Sequence, residues 1–412
     1  MIDEDTGALT IDKVSTTPAD LSEGVDASFE RLKDRARFQP DELRYLIHAS
    51  TVASNALLQR TGARAGLLVT AGFRDILEIA RQIRYELYNL QTEKPRPLIP
   101  RELCVEVPER LDHRGEVLVP LDEQALVRAV ETLRAEKLDS IAVCFLHSYR
   151  NPAHEQRAGE IIEQICPGLP VSISSEIAPE IREYWRASTA VTNAYVAPAV
   201  SSYLDAIEQK MSARGVTTGL HIMQSSGGVM TVASAKKRPV TMLESGPAAG
   251  VIAAAFFAEL TGFGDAISFD MGGTTAKVGL ILDGKPRVVS EFEAGGVAGS
   301  GSGIAKGSGY PILVPVMDLV EVGAGGGSIA WIDAGGLMRV GPKSAGADPG
   351  PGCYGKGGRE PTVTNANLTL GRLNADYFLG GEWPRAPTSD GGARDSPPPR
   401  GRRTDRSSCH RS

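Results

Sequence analysis

What this 412-residue sequence lacks narrows its function first. Its five cysteines, Cys104, Cys144, Cys166, Cys353 and Cys409, are scattered, and no two form a C-x-x-C pair. That spacing argues against a zinc site or a disulfide framework and suits a reducing compartment. The six histidines form no H-x-x-x-H pair, so no helical metal site is visible. Apolar runs are short: GVIAAAFFAEL, from Gly250 to Leu260, falls well below the roughly 20 residues that span a bilayer. No charged-then-apolar leader opens the chain, so a cytoplasmic location without membrane contact is expected. Positive charge is not in excess either, and the net charge of −6 argues against nucleic acid as a partner. Aromatics make up only 6%, whereas glycine is abundant at 46 residues.

The two ends stand apart from the body. MIDEDTGALTIDKV reads as the second half of a hairpin, which predicts that a first strand is missing. Residues 385–412 contain no Leu, Ile, Val, Met or aromatic residue, and seven Arg face three Asp. Such a segment cannot bury a core and is expected to be a disordered tail. It is either a natural flexible tail or, from the abruptness of the change, out-of-frame translation.

Between the ends, helical and strand patterns alternate. PADLSEGVDASFERL is an amphipathic helix, and SNALLQRTG a short one with Ser54 as N-cap. AGLLVT and SIAVCFL read as buried strands, FRDILEIARQIRYELY as a helix, and residues 179–214 as a long helix. A second unit begins at GLHIMQSSGGVM and runs through the helix GPAAGVIAAAFFAEL. The pattern predicts an α/β protein with domains at 1–155 and 156–380, followed by the tail at 385–412.

Three glycine-rich turns carry the chemistry. In ISFDMGGTTAKVGLI, the residues Asp270, Gly272, Gly273, Thr274 and Thr275 lie between two apolar strands. Paired glycines let the main chain approach an anion, N–H groups and hydroxyls donate to phosphate oxygens, and an acidic residue there can hold Mg²⁺. It is neither a Walker A loop nor a dinucleotide fingerprint, because a strand follows. An ordinary Gly-Gly hairpin is the competing reading. VEVGAGGGSIAWID sets Gly323, Gly325, Gly326 and Gly327 in a second such turn, suited to a flat ring or a phosphate, or simply tight. LESGPAAGV puts Ser245 and Gly246 ahead of a helix with Pro247 in its first turn, an anion site or a plain cap.

Taken together, these segments resemble the hydantoinase A / 5-oxoprolinase family. STVASNALLQRTGARAGLLVTAGFRDILEIARQ, AVCFLHSYRNPAHE, SEIAPEIREYWRASTAVTNAYVAP, FDMGGTTAKVGLI and GPKSAGADPGPGCYGKGGREPTVTNANLTLGRL join the turns above in family order, from about residue 10 to 380. The resemblance implies an actin/Hsp70/sugar-kinase-like ATPase fold, two α/β domains around a nucleotide cleft. It also implies ATP-dependent opening of a cyclic amide such as hydantoin, N-methylhydantoin or 5-oxoproline, with ATP and Mg²⁺ as cofactors. A hydantoinase B-type subunit and an oligomeric assembly are the expected partners. Ketone carboxylase subunits share the motifs and are the alternative. A first D-x-G-G-T loop, which family members carry, is absent here, so a catalytically incompetent fragment is a third reading.

The resemblance assigns Asp270 to Mg²⁺ or water, Gly272, Gly273, Thr274 and Thr275 to phosphates, and Gly325 to Gly327 to the nucleoside side. Lys277 is a phosphate contact or a solvated hairpin lysine; many members have Thr-Asp where this chain has Ala276-Lys277. Asp75 and Arg81, following a strand end, are candidate substrate residues, as is His147 after another. Arg186, Thr189 and Asn193 share one helix face as a substrate wall or a hydrogen-bonded interdomain seam.

Overall fold

The computed structural model describes residues 1–375, apart from residues 15, 18, 19, 84–87, 92, 274, 297–307 and 347. The expected tail therefore lies outside the described residues. The chain forms a mixed α/β fold with two principal apolar cores.

The first core is built on a parallel four-stranded sheet in the order Cys104–Val107, Ala65–Thr70, Ser140–Cys144, Val171–Ile173. Both AGLLVT and SIAVC are buried at every residue, which is what continuous apolar runs in a parallel sheet require. Helices Glu123–Ala135 and Ala153–Ile165 pack against it. Asp122 caps the first, its carboxylate accepting the Ala125 amide at 2.9 Å.

The second core gathers around a smaller sheet in which Leu46–His48 pairs in parallel with Leu220–Met223, itself antiparallel to Val229–Thr231. Helices Leu21–Ala36 and Val52–Leu58 close it. Joining the two cores is the long helix Glu183–Ala213. Its Ala187, Ala190, Val191 and Ala194 belong to the first core, and Tyr195, Val196, Val200, Leu204 and Ile207 to the second. Pro198 sits inside this helix without ending it.

Beyond these lies a third sheet. Ala276–Leu282 is its centre, flanked antiparallel by Ala266–Met271 and by Leu319–Val322, with Lys285–Pro286 closing the turn. Helix Ser245–Leu260 packs on one face, where Val251 fills the space a side chain at Gly279 would need.

Several expectations shift. The helix read over FRDILEIARQIRYELY is a single turn, Ile76–Ile79, because the chain turns at Ala80 (φ 50°) and Gln82 (φ 54°); residues 84–87 lie outside the described set. Ser54 is not an N-cap. Thr51 takes that position, and Ser54 sits inside the helix, its hydroxyl accepting the Glu244 amide at 3.0 Å. Ser245 and Gly246 do not precede their helix but form its first turn, with Glu244 as N-cap at φ 62°.

His48 gives the fold a pH signature. Its Nε2 lies 2.9 Å from the Tyr203 hydroxyl, and burial pushes the imidazole down to about 4 from 6.5. The folded state disfavours the charged ring while the unfolded chain accepts a proton below 6.5, so stability falls as pH drops through that window. Unfolding by urea should therefore become easier between pH 6.5 and about 4, by up to about 3 kcal/mol, and His48→Gln should flatten that slope.

Candidate functional site

The hairpin register pairs Met271 with Ala276 and Asp270 with Lys277, leaving Gly272 to Thr275 as the turn. The Gly272 amide donates to the Thr275 carbonyl at 3.0 Å, closing it. Thr274 lies outside the described residues. A Cβ at Gly273 would meet nothing within 4 Å, so the main chain there is bare on one side.

The other side of the turn is held by the second glycine loop. The Gly326 amide donates to the Gly272 carbonyl at 2.8 Å, and Gly327 to Gly273 at 2.6 Å. A Cβ at Gly327 would stand 2.9 Å from the Gly273 carbonyl oxygen and 2.7 Å from Ser344 Oγ; one at Gly326 would stand 2.7 Å from Thr364 Oγ1. Gly327 is thus explained by contact with the hairpin and Ser344, and Gly326 by contact with Thr364, with no ligand needed to account for either. Gly325 donates to Ser328 Oγ at 2.8 Å, and the Gly323 carbonyl lies against Gly341. Thr364, unassigned from sequence, directs both its amide and its hydroxyl to the Gly326 carbonyl, each at 2.8 Å. Its signal was present in TVTN, where Thr362 and Asn365 form a capping box that starts the helix Val363–Thr369.

Lys277 is engaged. Its ammonium is ion-paired with Glu244, and Glu321 lies 3.9 Å away on the neighbouring strand. Asp270 and Glu321 flank Lys277 on opposite strands, so all three share one sheet face. Ser245 is fully buried: its hydroxyl donates to the Ser50 carbonyl at 2.9 Å, and Gly246 lies against Thr51. The ESGP turn therefore stitches the third sheet's helix to the HAST segment of the second core.

The four candidate substrate residues separate. Asp75 is bound by Arg101 at 2.5 and 3.2 Å, whose hydrogen bonds hold its carboxyl below the usual range. Arg186 is only 1% exposed; it donates to Ser174 Oγ at 3.0 Å, to the Glu180 carbonyl at 3.2 Å and to the Phe145 carbonyl. Thr189 Oγ1 accepts the Leu313 amide at 2.9 Å, while Asn193 bonds Ser172, Lys237 and Val240, so the stripe is a hydrogen-bond seam between elements. His147 (φ 57°) packs edge-on to Tyr149, and burial and then the charge of Arg186 hold its imidazole below the usual value. Arg81 alone of the four lines a cavity of about 190 Å³, whose walls include Tyr184, Lys94, Arg96 and Tyr310. The Arg81 guanidinium stacks 5.4 Å from the centre of the Trp185 ring, and burial pushes the Tyr184 phenol up to about 12.

Comparison with known proteins decides the family. Residues 1–166 match the Hydantoinase/oxoprolinase N-terminal region, and residues 186–389 match Hydantoinase/oxoprolinase. The chain belongs to the hydantoinase/oxoprolinase family. An uncharacterized protein of Methanocaldococcus jannaschii is 46% identical over 364 residues, 88% of this chain and 53% of that one. The caprolactamase subunit alpha of Pseudomonas jessenii is 36% identical over 381 residues, 91% of this chain and 53% of its own. The crystal structure of that ATP-dependent caprolactamase superposes with a TM-score of 0.73 over 92% of this chain and 54% of the other. A nucleotide-free acetone carboxylase structure gives 0.74 at 27% identity, over 90% and 53%. This hydantoinase/oxoprolinase-family chain thus spans about half the length of these relatives. Among its described residues no helix is long and apolar enough to cross a membrane.

The glycine contacts predict unequal tolerance. Gly327→Ala should cost about 1–3 kcal/mol by forcing the hairpin carbonyl away, whereas Gly273→Ala should stay within about 0.5 kcal/mol. Urea titrations of the two variants check this order.

Proposed function

We propose that this chain supplies the phosphate-gripping part of an ATP-dependent enzyme that opens a cyclic amide such as hydantoin, N-methylhydantoin or 5-oxoproline. The carrying observation is the clasp: a hairpin turn bare at Gly273 on one side and locked by Gly326 and Gly327 on the other. Its membership of the hydantoinase/oxoprolinase family and its likeness to an ATP-dependent caprolactamase support the reading. The inferred architecture is the actin/Hsp70/sugar-kinase-like one, with two α/β domains around a nucleotide cleft.

A lactam or imide is a poor electrophile with a poor leaving group. Moving the γ-phosphoryl of ATP onto the amide oxygen, with release of ADP, makes the carbon open to water; loss of phosphate and cleavage of the ring C–N bond complete the hydrolysis. The protein's part in such chemistry is positioning and charge stabilisation. The bare main chain at Gly273 and the Thr275 hydroxyl would face the phosphates, in a turn that the Gly272 amide closes through the Thr275 carbonyl. Thr274, the remaining phosphate candidate, lies outside the described residues. Gly323 and Gly325 to Gly327 would support the nucleoside side, with Ser245, Gly246 and Lys277 behind the turn. Arg81, on the cavity wall, is the best placed of the substrate candidates.

Asp270 is exposed, and no cluster of three or more His, Cys, Asp or Glu that could hold a metal occurs among the described residues. This donor set does not make a resident metal site. It fits Mg²⁺ arriving with a nucleotide, since that ion keeps several waters and takes one or two carboxylates. Bound there, it would neutralise phosphate charge. A hydantoinase B-type subunit is the partner we infer, because the caprolactamase relative is itself a subunit. Ketone carboxylation is the second reading, favoured by the likeness to acetone carboxylase.

Calorimetric titration with Mg·ATP tests the reading. Binding should weaken at least ~10-fold in Gly273→Val while the unfolding midpoint holds, because the new side chain covers bare main chain where phosphate would sit. Absence of binding by the folded chain would overturn it. Ring-opened product with amides, against carboxylated product with ketone and bicarbonate, separates the two substrate classes.

A further inference from the structure

The long helix Glu183–Ala213 has a second polar face. Tyr184, Ser188 and Val191 lie at i, i+4 and i+7, on the side opposite the seam of Arg186, Thr189 and Asn193. All three line the cavity of about 190 Å³. Ser188 is 4% exposed, yet its hydroxyl makes no hydrogen bond among the described residues. It is not sealed in the packing as Ser175 Oγ is, so it opens into the cavity. The partly buried Tyr184 phenol, one turn away, likewise has no hydrogen-bond partner among them. Burial pushes that phenol up to about 12, so it keeps its proton and can donate. Buried hydroxyls are ordinarily paired, and two left unpaired on one wall suit the polar atoms of a ligand.

The remaining walls are of two kinds. Leu77, Leu98 and Pro311 join Val191 as apolar surface. The space is that of a small ring, since a cavity of about 150 Å³ holds benzene. Arg81, Lys94 and Arg96 set three positive charges against Glu78 and Glu293, and Glu293 already has a partner. Lys94 donates to the Ile79 carbonyl at 3.3 Å, whereas the guanidinium groups of Arg81 and Arg96 donate no hydrogen bond among the described residues. Stacking on Trp185 steadies the Arg81 guanidinium and leaves its N–H groups to a ligand. The group that matches such a fork is a carboxylate.

We propose that this cavity holds the substrate of the ring-opening reaction, and that the substrate is an anionic ring, a cyclic amide carrying a carboxylate. The amide meets the Tyr184 and Ser188 hydroxyls, the ring lies against Leu98 and Val191, and Arg81 and Arg96 take the carboxylate. Hydantoin and N-methylhydantoin, which have no carboxylate, are then weaker fits. This assignment rests on the cyclic-amide reading of the chain and narrows it to one class.

Calorimetric titration of the full 412-residue chain, with and without Mg·ADP, compares three ligands of one ring size. They are 5-oxoproline, the neutral lactam 2-pyrrolidinone, and cyclopentanecarboxylate, which lacks the amide. 5-Oxoproline should bind at least ~10-fold more tightly than either of the others. Arg81→Gln should erase the advantage over 2-pyrrolidinone, and Arg81→Lys should restore part of it. Tyr184→Phe combined with Ser188→Ala should erase the advantage over cyclopentanecarboxylate, with circular dichroism unchanged. The comparison of ligands on the unaltered chain decides the matter even where a variant does not fold. Equal affinity for 5-oxoproline and 2-pyrrolidinone overturns the proposal, as does no binding of 5-oxoproline under either condition, or binding indifferent to every substitution. Mg·ATP binding without carboxylate selectivity would sink this assignment alone. Selectivity in a chain that binds no Mg·ATP would sink the ring-opening reading and leave the ligand class of the cavity standing.

Discussion

Everything in the first two cores depends on burying one helix. From Trp185 to Ala197 every residue of Glu183–Ala213 is buried, although the segment includes Arg186, Ser188, Thr189, Thr192 and Asn193. Such a helix is stable only if each polar group has a partner. Thr189 and Thr192 bond back to the carbonyls of Trp185 and Ser188 at 2.7 and 2.8 Å, and Asn193 ties together Ser172, Lys237 and Val240. Arg186 is bound through Ser174 to Glu155, whose buried carboxylate also accepts the Phe145 and Ser175 amides at 2.8 Å each. The alanines on the remaining surface let the strand Ser140–Cys144 approach closely. Removing the arginine would leave the Phe145 and Glu180 carbonyls and Ser174 Oγ without its donors, which makes this network one unit.

That helix also fixes where the clasp can lie. The second core built on its later turns carries Ser50, Ser54 and Thr51, and these receive the ESGP turn through Ser245, Glu244 and Gly246. From that turn the helix Ser245–Leu260 runs under the third sheet, and the sheet's central strand ends in the hairpin. Position therefore passes from the long helix to a short serine-rich segment, then to the hairpin, through hydrogen bonds and a glycine contact. The glycines of the second loop complete the chain of constraints, since a side chain at Gly327 would meet the hairpin main chain, and one at Gly326 the Thr364 hydroxyl, too closely to fit without a shift.

The hairpin, the buried strands and the long helix were legible because periodicity and turn residues determine them locally, although Asp270, expected in the turn, lies in the strand opposite Lys277. FRDILEIARQ misled because helical propensity competes there with a backbone that turns at Ala80 and Gln82, and no single residue type announces such a turn. Ser54 misled because Ser-x-x-apolar suggests a cap, whereas its hydroxyl is recruited by Glu244, a partner 190 residues away. The glycines at 325 to 327 were visible as a dense turn, yet the reason for Gly326 and Gly327, close approach to Thr364 and to the hairpin, is a property of segments that only the fold brings together. The polar stripe on the long helix was visible at its spacing, and only the packed neighbours distinguish a seam from a wall.

The charges around Lys277 carry the synthesis one step further. Glu244 holds a left-handed backbone at φ 62° and is anchored through its amide to Ser54, so its carboxylate is delivered to Lys277 by the second core. Lys277 in turn sits between Asp270 and Glu321 in the sheet. A phosphate drawing on Lys277 would have to compete with Glu244, and the competition would be felt at Ser54. A lysine free in solvent would couple to nothing. Paired as it is, it ties the hairpin strand, through Glu244 and Ser54, to the seam that joins the third sheet to the second core.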